Sequence, residues 1–310
     1  DAQESRGLGD VYKRQALDVL IAVQKDDAYA NILLPTRIAT ARLDSRDAGL
    51  ATELCNGTLR GRDFYRAVIS RCTDRELPKI HPVVLSVLEM GVHQHVAMRV
   101  STHALVNESV NLVKHSGMSA ASGFTNAVMR RVTERSLEQW QSAVTEGLPD
   151  QTDRLAVLTS HPAWIVRALE TALRADQRPT ELGELLAADN SPGPLGIIDL
   201  RFESSPIDSL ESAKYSPRGF HLTDNGNPNS VTASSHGRVR VQDEGSQLAA
   251  LMLTAVDVQA NDREWLDMCA APGGKSAVLA WAAEAQGAHL TSNEVNSSRL
   301  ALVKTSLAPW

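Results

Sequence analysis

Leu266–Ser276, LDMCAAPGGKS, decides how this chain is read, because an apolar strand, a glycine turn and a helix start follow one another within it. Trp265-Leu266-Asp267-Met268 predicts the strand, Pro272-Gly273-Gly274 the turn, and Lys275–Glu284 an Ala-rich helix of high propensity. Such a unit puts its turn at the carboxyl end of the strand, where ligands of open α/β sheets lie. The first amides of the helix favour an anion, and two glycines let a ligand approach the backbone closely. A carboxylate or a phosphate is the implied guest.

A Walker A loop would need glycine where Cys269 stands, and no G-x-G-x-x-G occurs, so a nucleoside triphosphate is the weaker reading. Beyond the helix, Ala288–Ser292 predicts a second strand ending at Asn293-Glu294, and Glu294 stands twenty residues after Gly274. An acid at that spacing suits a ribose diol. A ligand with a ribose at one end and a carboxylate at the other fits S-adenosylmethionine; the competing reading is a plain strand-turn-helix with a solvated Glu294.

LDMCAAPGGKS, the preceding VQDEGSQLAA (Val241–Ala250) and the following NEVNSSR (Asn293–Arg299) resemble the RNA cytosine-C5 methyltransferases, in particular the bacterial 16S ribosomal RNA methyltransferase B group, also called the Sun or Fmu family. The resemblance implies S-adenosyl-L-methionine as cofactor, held by Cys269, Ala270, Ala271, Pro272, Gly273, Gly274 and Lys275, with Glu294 at its ribose. It implies 16S ribosomal RNA as the partner.

With 310 residues, 43% hydrophobic and 22% charged, the chain has room for two or three domains of ordinary globular composition. No apolar run reaches the roughly 18 residues of a membrane span, and no leader of signal-peptide type opens the chain, so a cytoplasmic protein without membrane contact is expected. Cys55, Cys72 and Cys269 form no C-x-x-C pair and leave an odd count, which points to reduced thiols rather than a disulfide framework or a zinc site. The net charge of −6 argues at first against nucleic acid. Its distribution softens that: residues 1–150 hold 18 basic and 18 acidic side chains, and between Thr36 and Lys79 nine basic residues face six acids.

Residues 1–14 show no clear helix period and read as a disordered or non-native leader. From Gln15 to Glu138 the pattern is helical, with apolar stripes such as Ala16, Leu17, Val19, Leu20 and Val23, or Val83, Val84, Val87, Leu88 and Met90. Breaks are expected at Pro35, Asp44-Ser45, Leu77-Pro78, His81-Pro82 and His115-Ser116-Gly117. NGTLRGR (Asn56–Arg62), LEMGVHQ (Leu88–Gln94), HALVNESVNLVK (His103–Lys114) and GFTNAVMRR (Gly123–Arg131) resemble the NusB-like RNA-binding domain at the amino end of the same methyltransferases, with His93 where the family has an aromatic. Arg60, Arg62, Arg130 and Arg131 are candidate phosphate contacts, although each alone reads first as an exposed polar helix position. His81, His93, His95 and His103 lack acid or thiol partners at ligand spacing and read as structural, so no metal is expected.

Residues 152–175 predict one further amphipathic helix, with Trp164 and Ile165 as core anchors. Ala187–Arg240 alternates turn clusters with short apolar runs such as Leu195–Leu200, a small α+β module without a basic run or an aromatic pair. Val241–Val256 predicts a helix starting at Gln242-Asp243-Glu244 with Leu248, Leu251, Met252 and Val256 on one face, and Ser297 reads as the N-cap of a last helix. The expected architecture is multidomain. An all-α NusB-like bundle over 15–138 is followed by a linker helix and small α+β module over 139–240. Residues 241–310 then begin an α/β Rossmann-like S-adenosylmethionine-dependent methyltransferase sheet.

In the resembled family a cysteine thiolate adds to cytosine C6 and a second cysteine assists elimination, both from Pro-Cys and Thr-Cys motifs on later strands. The cysteines here follow Leu54, Arg71 and Met268, so none is assigned a catalytic role, and a chain truncated at its carboxyl end and inactive alone is the expectation. The reading of a different class is a non-catalytic, NusB-like RNA-binding protein with a vestigial cofactor fold. A monomer is expected in either case.

Overall fold

The computed structural model describes residues 4–26, 28–98, 100–191, 193–202, 207, 209–222, 228–256 and 262–310, divided between two compact units, Asp1–Pro192 and Gly193–Trp310. In the first unit the described elements are helices joined by turns: α1 (Glu4–Asp26), α2 (Ala30–Thr40), α3 (Ser45–Arg60), α4 (Arg62–Cys72), α5 (Pro82–Val96), α6 (Thr102–His115), α7 (Ser122–Thr133), α8 (Leu137–Thr145), α9 (Gln151–Thr159), α10 (Ala163–Ala175) and α11 (Leu182–Asp189). Helix α5 is its axis. Val83–Gln94 is buried without interruption, and α1, α3, α4, α6 and α7 all pack on it, as expected of a helix apolar on every side. It starts where Pro82 takes the first helical position and His81 Nδ1 accepts the Val83 N–H at 3.3 Å.

Glu89 and His93 are among the polar groups enclosed in this core. Glu89 is fully buried, with Arg66 Nε at 2.6 Å and Arg62 Nε at 3.5 Å; burial pushes its carboxyl pKa up while the guanidiniums oppose that. His93 lies over Gly57, where a Cβ would come within 2.2 Å of the imidazole, and its Nδ1 is 2.8 Å from the Tyr65 hydroxyl. Burial lowers the His93 pKa to about 4, so the ring is neutral near pH 7 and Nδ1 accepts the Tyr65 O–H. The tyrosine thus satisfies Nδ1 of the imidazole that stands in place of the aromatic expected from the resemblance, while Nε2 lies 3.4 Å from Glu53 without a hydrogen bond. Cys55 and Cys72 are buried, with thiols pushed up to about 11, and both are free.

Several expectations are corrected. Helix α1 begins at Glu4 rather than after residue 14, and Lys13 is buried against the bundle with its ammonium paired to Glu108. Pro35 lies inside α2 and does not end it; the helix is exposed there, so the Asn31 carbonyl that loses its N–H partner can turn to water. Residues 152–175 are two helices, because Ser160 turns left-handed at φ 53° and Pro162, which lacks an N–H, restarts the chain. Trp164 follows that restart on the outside, 69% exposed, and Val166 is the anchor instead.

The second unit holds β1 (Gly196–Asp199), β2 (Leu210–Ser212), β3 (Gly219–Leu222), α12 (Asn229–Thr232), β4 (Val239–Val241), α13 (Glu244–Thr254), β5 (Glu264–Asp267), α14 (Gly274–Gln286), β6 (His289–Ser292) and α15 (Ser297–Leu307). Four strands form an antiparallel sheet in the order β2-β3-β1-β4, and β5 and β6 pair in parallel with Trp265 opposite Leu290. Ile198 and Leu200 share a core with Ala250, Ala277 and Val278 of α13 and α14. The small sheet and the following helices thus share a core within the unit that begins after Pro192. Helix α13 starts three residues into the expected stretch, since Val241 ends β4 and Asp243 is the N-cap, and it buries Gln247 and Ala250 while Met252, and Val256 just beyond it, stay exposed. The cap of α15 is Asn296, whose side chain accepts the Ser298 and Arg299 N–H groups, and Ser297 is the first helical residue.

Candidate ligand-binding site

The loop leaving β5 is fastened at three places. Asn293 N–H donates to the Asp267 carbonyl at 2.8 Å, Ala270 N–H to the Asn293 carbonyl at 3.0 Å, and the Asn293 amide to the Met268 carbonyl at 3.1 Å, which ties the loop to the end of β6. The Asp267 carboxylate accepts the Cys269 N–H at 3.2 Å and the buried Ser276 hydroxyl at 2.7 Å, which clasps the first turn of α14 to the end of β5. Neither Asp267 nor Ser276 was singled out as functional from sequence. The signal available was an acid closing the strand and a hydroxyl in the first turn of the next helix.

The two glycines do different work. Gly273 has φ 106° and touches α15 so closely that a Cβ would meet Ser306 Cβ at 2.5 Å and Val303 Cα at 3.2 Å; Ser306 also donates to its carbonyl at 3.0 Å. At Gly274 a Cβ would come no nearer than 3.7 Å to the Gln242 amide, an ordinary contact. Packing therefore demands glycine at 273 and leaves 274 free.

Helix α14 starts bare. Its N-cap, Gly273, offers no side chain, its first turn carries no acid, and Lys275 is exposed there. Its neighbours are capped: Asp243 accepts from Gly245 and Ser246 at the start of α13, and Asn296 does the same for α15. A lysine beside the positive end of an uncapped helix is unfavourable until an anion arrives. Gln242, 7% exposed, lies beside Gly274 with both amide atoms unpaired.

The remaining residues of the set follow the same loop. Cys269 and Pro272 are exposed, Ala270 is buried and Ala271 is half-buried. The Ala271 carbonyl accepts from Arg299 at 3.2 Å, and Arg299 lies 4.0 Å from the Glu294 carboxylate. Glu294 is not solvated: its side chain is 7% exposed and accepts the Asn296 N–H at 2.9 Å. The fold thus brings together all eight residues singled out from sequence. Among the described residues no group of His, Cys, Asp and Glu has metal-ligand geometry.

The four arginines considered for phosphate separate. Arg62 is drawn into the bundle beside Glu89, and Arg131 donates to the Cys72 carbonyl at 2.9 Å, closing the end of α4. Arg130 stays exposed and Arg60 is half-buried.

Residues 11–134 match the NusB family, and residues 253–308 match the family described as 16S rRNA methyltransferase RsmB/F. The two matches put a NusB-type region ahead of an RsmB/F-type methyltransferase region in one chain. Among similar proteins, "Putative methyltransferase Rv1407" of Mycobacterium tuberculosis is 36% identical over 95% of this chain and 65% of its own length. "Probable ribosomal RNA small subunit methyltransferase B" of Bacillus subtilis is 27% identical over 93% of this chain and 64% of its own. "Ribosomal RNA small subunit methyltransferase B" of Pseudomonas putida is 27% identical over 94% and 65%. The chain thus spans about two thirds of the length of these relatives. The crystal structure of PH0851 has the same fold, with a TM-score of 0.70 over 95% of this chain and 66% of that one at 13% identity. Among the described residues no helix is long and apolar enough to cross a membrane.

Proposed function

We propose that this chain supplies the RNA-binding part and the first cofactor-binding part of a monomeric, metal-independent cytoplasmic enzyme that methylates cytosine C5 in 16S ribosomal RNA with S-adenosyl-L-methionine. The uncapped start of α14 carries the reading: a bare helix end, an exposed Lys275 and a clasped loop suit a carboxylate. The sulfonium of the bound cofactor supplies an electrophilic methyl group. The amides of Gly274, Lys275 and Ser276 would face the carboxylate, and the Lys275 ammonium would add its charge. Glu294, held by Asn296 and Arg299, keeps acceptor capacity for ribose hydroxyls. Cys269, Ala270, Ala271, Pro272 and Gly273 shape the wall between them. Cys269 is not assigned to the chemistry, since it lies in this wall.

The test is titration calorimetry with S-adenosylmethionine in a protein of the relatives' full length. Lys275→Ala and Glu294→Ala are each expected to weaken binding about ten-fold, because charge-assisted hydrogen bonds are worth about 1.5–3 kcal/mol. Affinity unchanged in both variants removes the assignment.

A further inference from the structure

Helix α8 turns Trp140 and Val144 into the bundle, and a face turned outward forms the floor of a groove of about 600 Å³. Gln139, Ser142 and Ala143 lie along that floor at the three- and four-residue spacing of one helix face, and Glu146, the C-cap, closes it. An arginine stands at each end. Arg135 precedes the helix with its guanidinium 5.0 Å from the Trp140 ring, and Arg154 of α9 donates from Nε to the Leu148 carbonyl at 2.9 Å, just past the end of α8. The acids flanking Arg154 in sequence, Asp150 and Asp153, pair with Arg167 instead, at 3.7 and 3.5 Å. Each of the two guanidiniums is thus held by a neutral partner, and its charge is left for something else.

We propose that this groove binds a free nucleotide carrying a phosphate on each side of its ribose, one phosphate at Arg135 and the other at Arg154. A guanidinium fork without a carboxylate takes phosphate through two parallel hydrogen bonds, and a fork already anchored loses less entropy in doing so. The spacing calls for two anionic groups. From Gln139 to Glu146 the helix rises roughly 10 Å, seven residues at about 1.5 Å each, which is too far for one phosphate to serve both ends and suits two joined through a sugar. Glu146 decides what lies between them. Its carboxylate repels a third anion and accepts from a hydroxyl or an amino group, which a ribose and a base supply. Gln139 gives its side-chain oxygen to the Ser136 N–H at 2.8 Å, so its amide nitrogen is the end left to donate to the ligand. The volume falls within the range of about 300–1,000 Å³ that small-molecule sites occupy. The groove shares no residue with the loop after β5, and the proposal does not rest on the methyltransferase reading.

The full chain is titrated by calorimetry with adenosine 3′,5′-bisphosphate at low salt and without S-adenosylmethionine. Saturable one-to-one binding is expected. Arg135→Gln and Arg154→Gln should each weaken it about ten-fold, the order of one charge-assisted hydrogen bond. Ser142→Trp, at an exposed position, should fill the floor and abolish binding with both charges still in place. Adenosine 5′-monophosphate and inorganic phosphate reach one end only and should bind about ten-fold more weakly or worse. Arg174→Gln, which removes an exposed arginine of α10 outside the groove, should leave affinity unchanged, and equal thermal midpoints show that each variant is folded. A chain that binds no bisphosphate overturns the proposal, as does equal affinity of the unaltered protein and the three groove variants. Inorganic phosphate binding as tightly as the bisphosphate overturns it too, because the two arginines then act separately. A short oligoribonucleotide that is weakened by both arginine variants and not displaced by the bisphosphate also overturns it, because the groove then follows a polynucleotide backbone.

Discussion

Helices α5 and α13 are both rich in large apolar residues, yet they meet opposite surroundings. In α5 every residue from Val83 to Gln94 is buried, whereas in α13 Met252 is 70% and Leu253 61% exposed. Composition does not separate them; enclosure does. Five helices surround α5, while α13 packs chiefly on α14 and touches β1. The same contrast runs through the two units. The bundle gathers its large apolar side chains into one extensive cluster, and the second unit divides a few among small clusters while leaving Leu266 and Met268 mostly in water. Stability should be distributed accordingly, concentrated around α5 and thin around β5 and α13.

The sharpest way to break that comparison is to truncate one apolar side chain in each helix. Leu88→Ala removes a fully buried side chain at the axis of the bundle and is expected to cost about 2–5 kcal/mol, read by denaturant unfolding through the fluorescence of buried Trp140. Met252→Ala should stay within about 0.5 kcal/mol. Comparable losses would mean that α13 is enclosed in solution and the contrast is false.

Acid provides the next test, because the bundle buries a histidine. The His93 pKa falls from 6.5 to about 4 on folding, with burial as the main cause and the Arg60 charge second. A depressed pKa contributes stability that is present above pH 6.5 and lost as pH falls toward 4, here roughly 3 kcal/mol. Glu89 acts in the opposite sense: burial raises its pKa, so folding favours its protonated form and stability falls as pH rises through that raised value. The difference between the unaltered chain and His93→Phe isolates the histidine. His93→Phe should abolish the loss between pH 6.5 and 4, at a cost of about 1 kcal/mol at neutral pH for the stranded Tyr65 hydroxyl. An unchanged pH profile would mean that the imidazole titrates alike in the folded and unfolded chain and is not desolvated in the core; a slope of the opposite sign would mean that it is charged there, paired with Glu53 at 3.4 Å.

The bundle was the more legible half, for a physical reason. Ala16, Leu17 and Leu20 in α1, and Val84, Val87 and Leu88 in α5, recur at helical spacing, and the burial they announce is local to each helix. Pro35 misled because its cost depends on whether the freed carbonyl can reach water, which spacing does not record. Pro162 divides residues 152–175 into two helices, and the restart of the chain there, which helical periodicity alone does not record, leaves Trp164 on the outside. At the candidate site, the strand, turn, helix and second strand around LDMCAAPGGKS were all readable, since each is written in adjacent residues. Illegible were the contacts between distant segments: the clasp of Ser276 on Asp267, the packing of Ser306 on Gly273, and the stacking of Phe202 on Trp281. The middle module looked devoid of an aromatic pair because its partner rings stand in α14 and after α15.

The smallest expected effect separates two adjacent glycines and tests whether the second unit reserves space for a ligand. Gly273→Ala would force an alanine to φ 106° and push its Cβ against Ser306 and the Val303 backbone, so about 1–3 kcal/mol should be lost from this unit alone. The melting of the bundle should not follow. Gly274→Ala meets only the Gln242 amide at 3.7 Å and sits in the first turn of α14, where alanine is the better helix former, so stability should change by no more than about 0.5 kcal/mol in either direction. If the amides of that turn receive a carboxylate, the added methyl stands beside the approach, and affinity for S-adenosylmethionine falls in a protein that is otherwise as stable as before. Calorimetric titration of the two variants at the relatives' full length distinguishes the cases. Loss of affinity in Gly273→Ala alone, tracking its loss of stability, would mean that the turn serves the packing of α15 and that no ligand lies over the start of α14. Loss in Gly274→Ala without loss of stability places the ligand there, since no contact within the folded chain accounts for it.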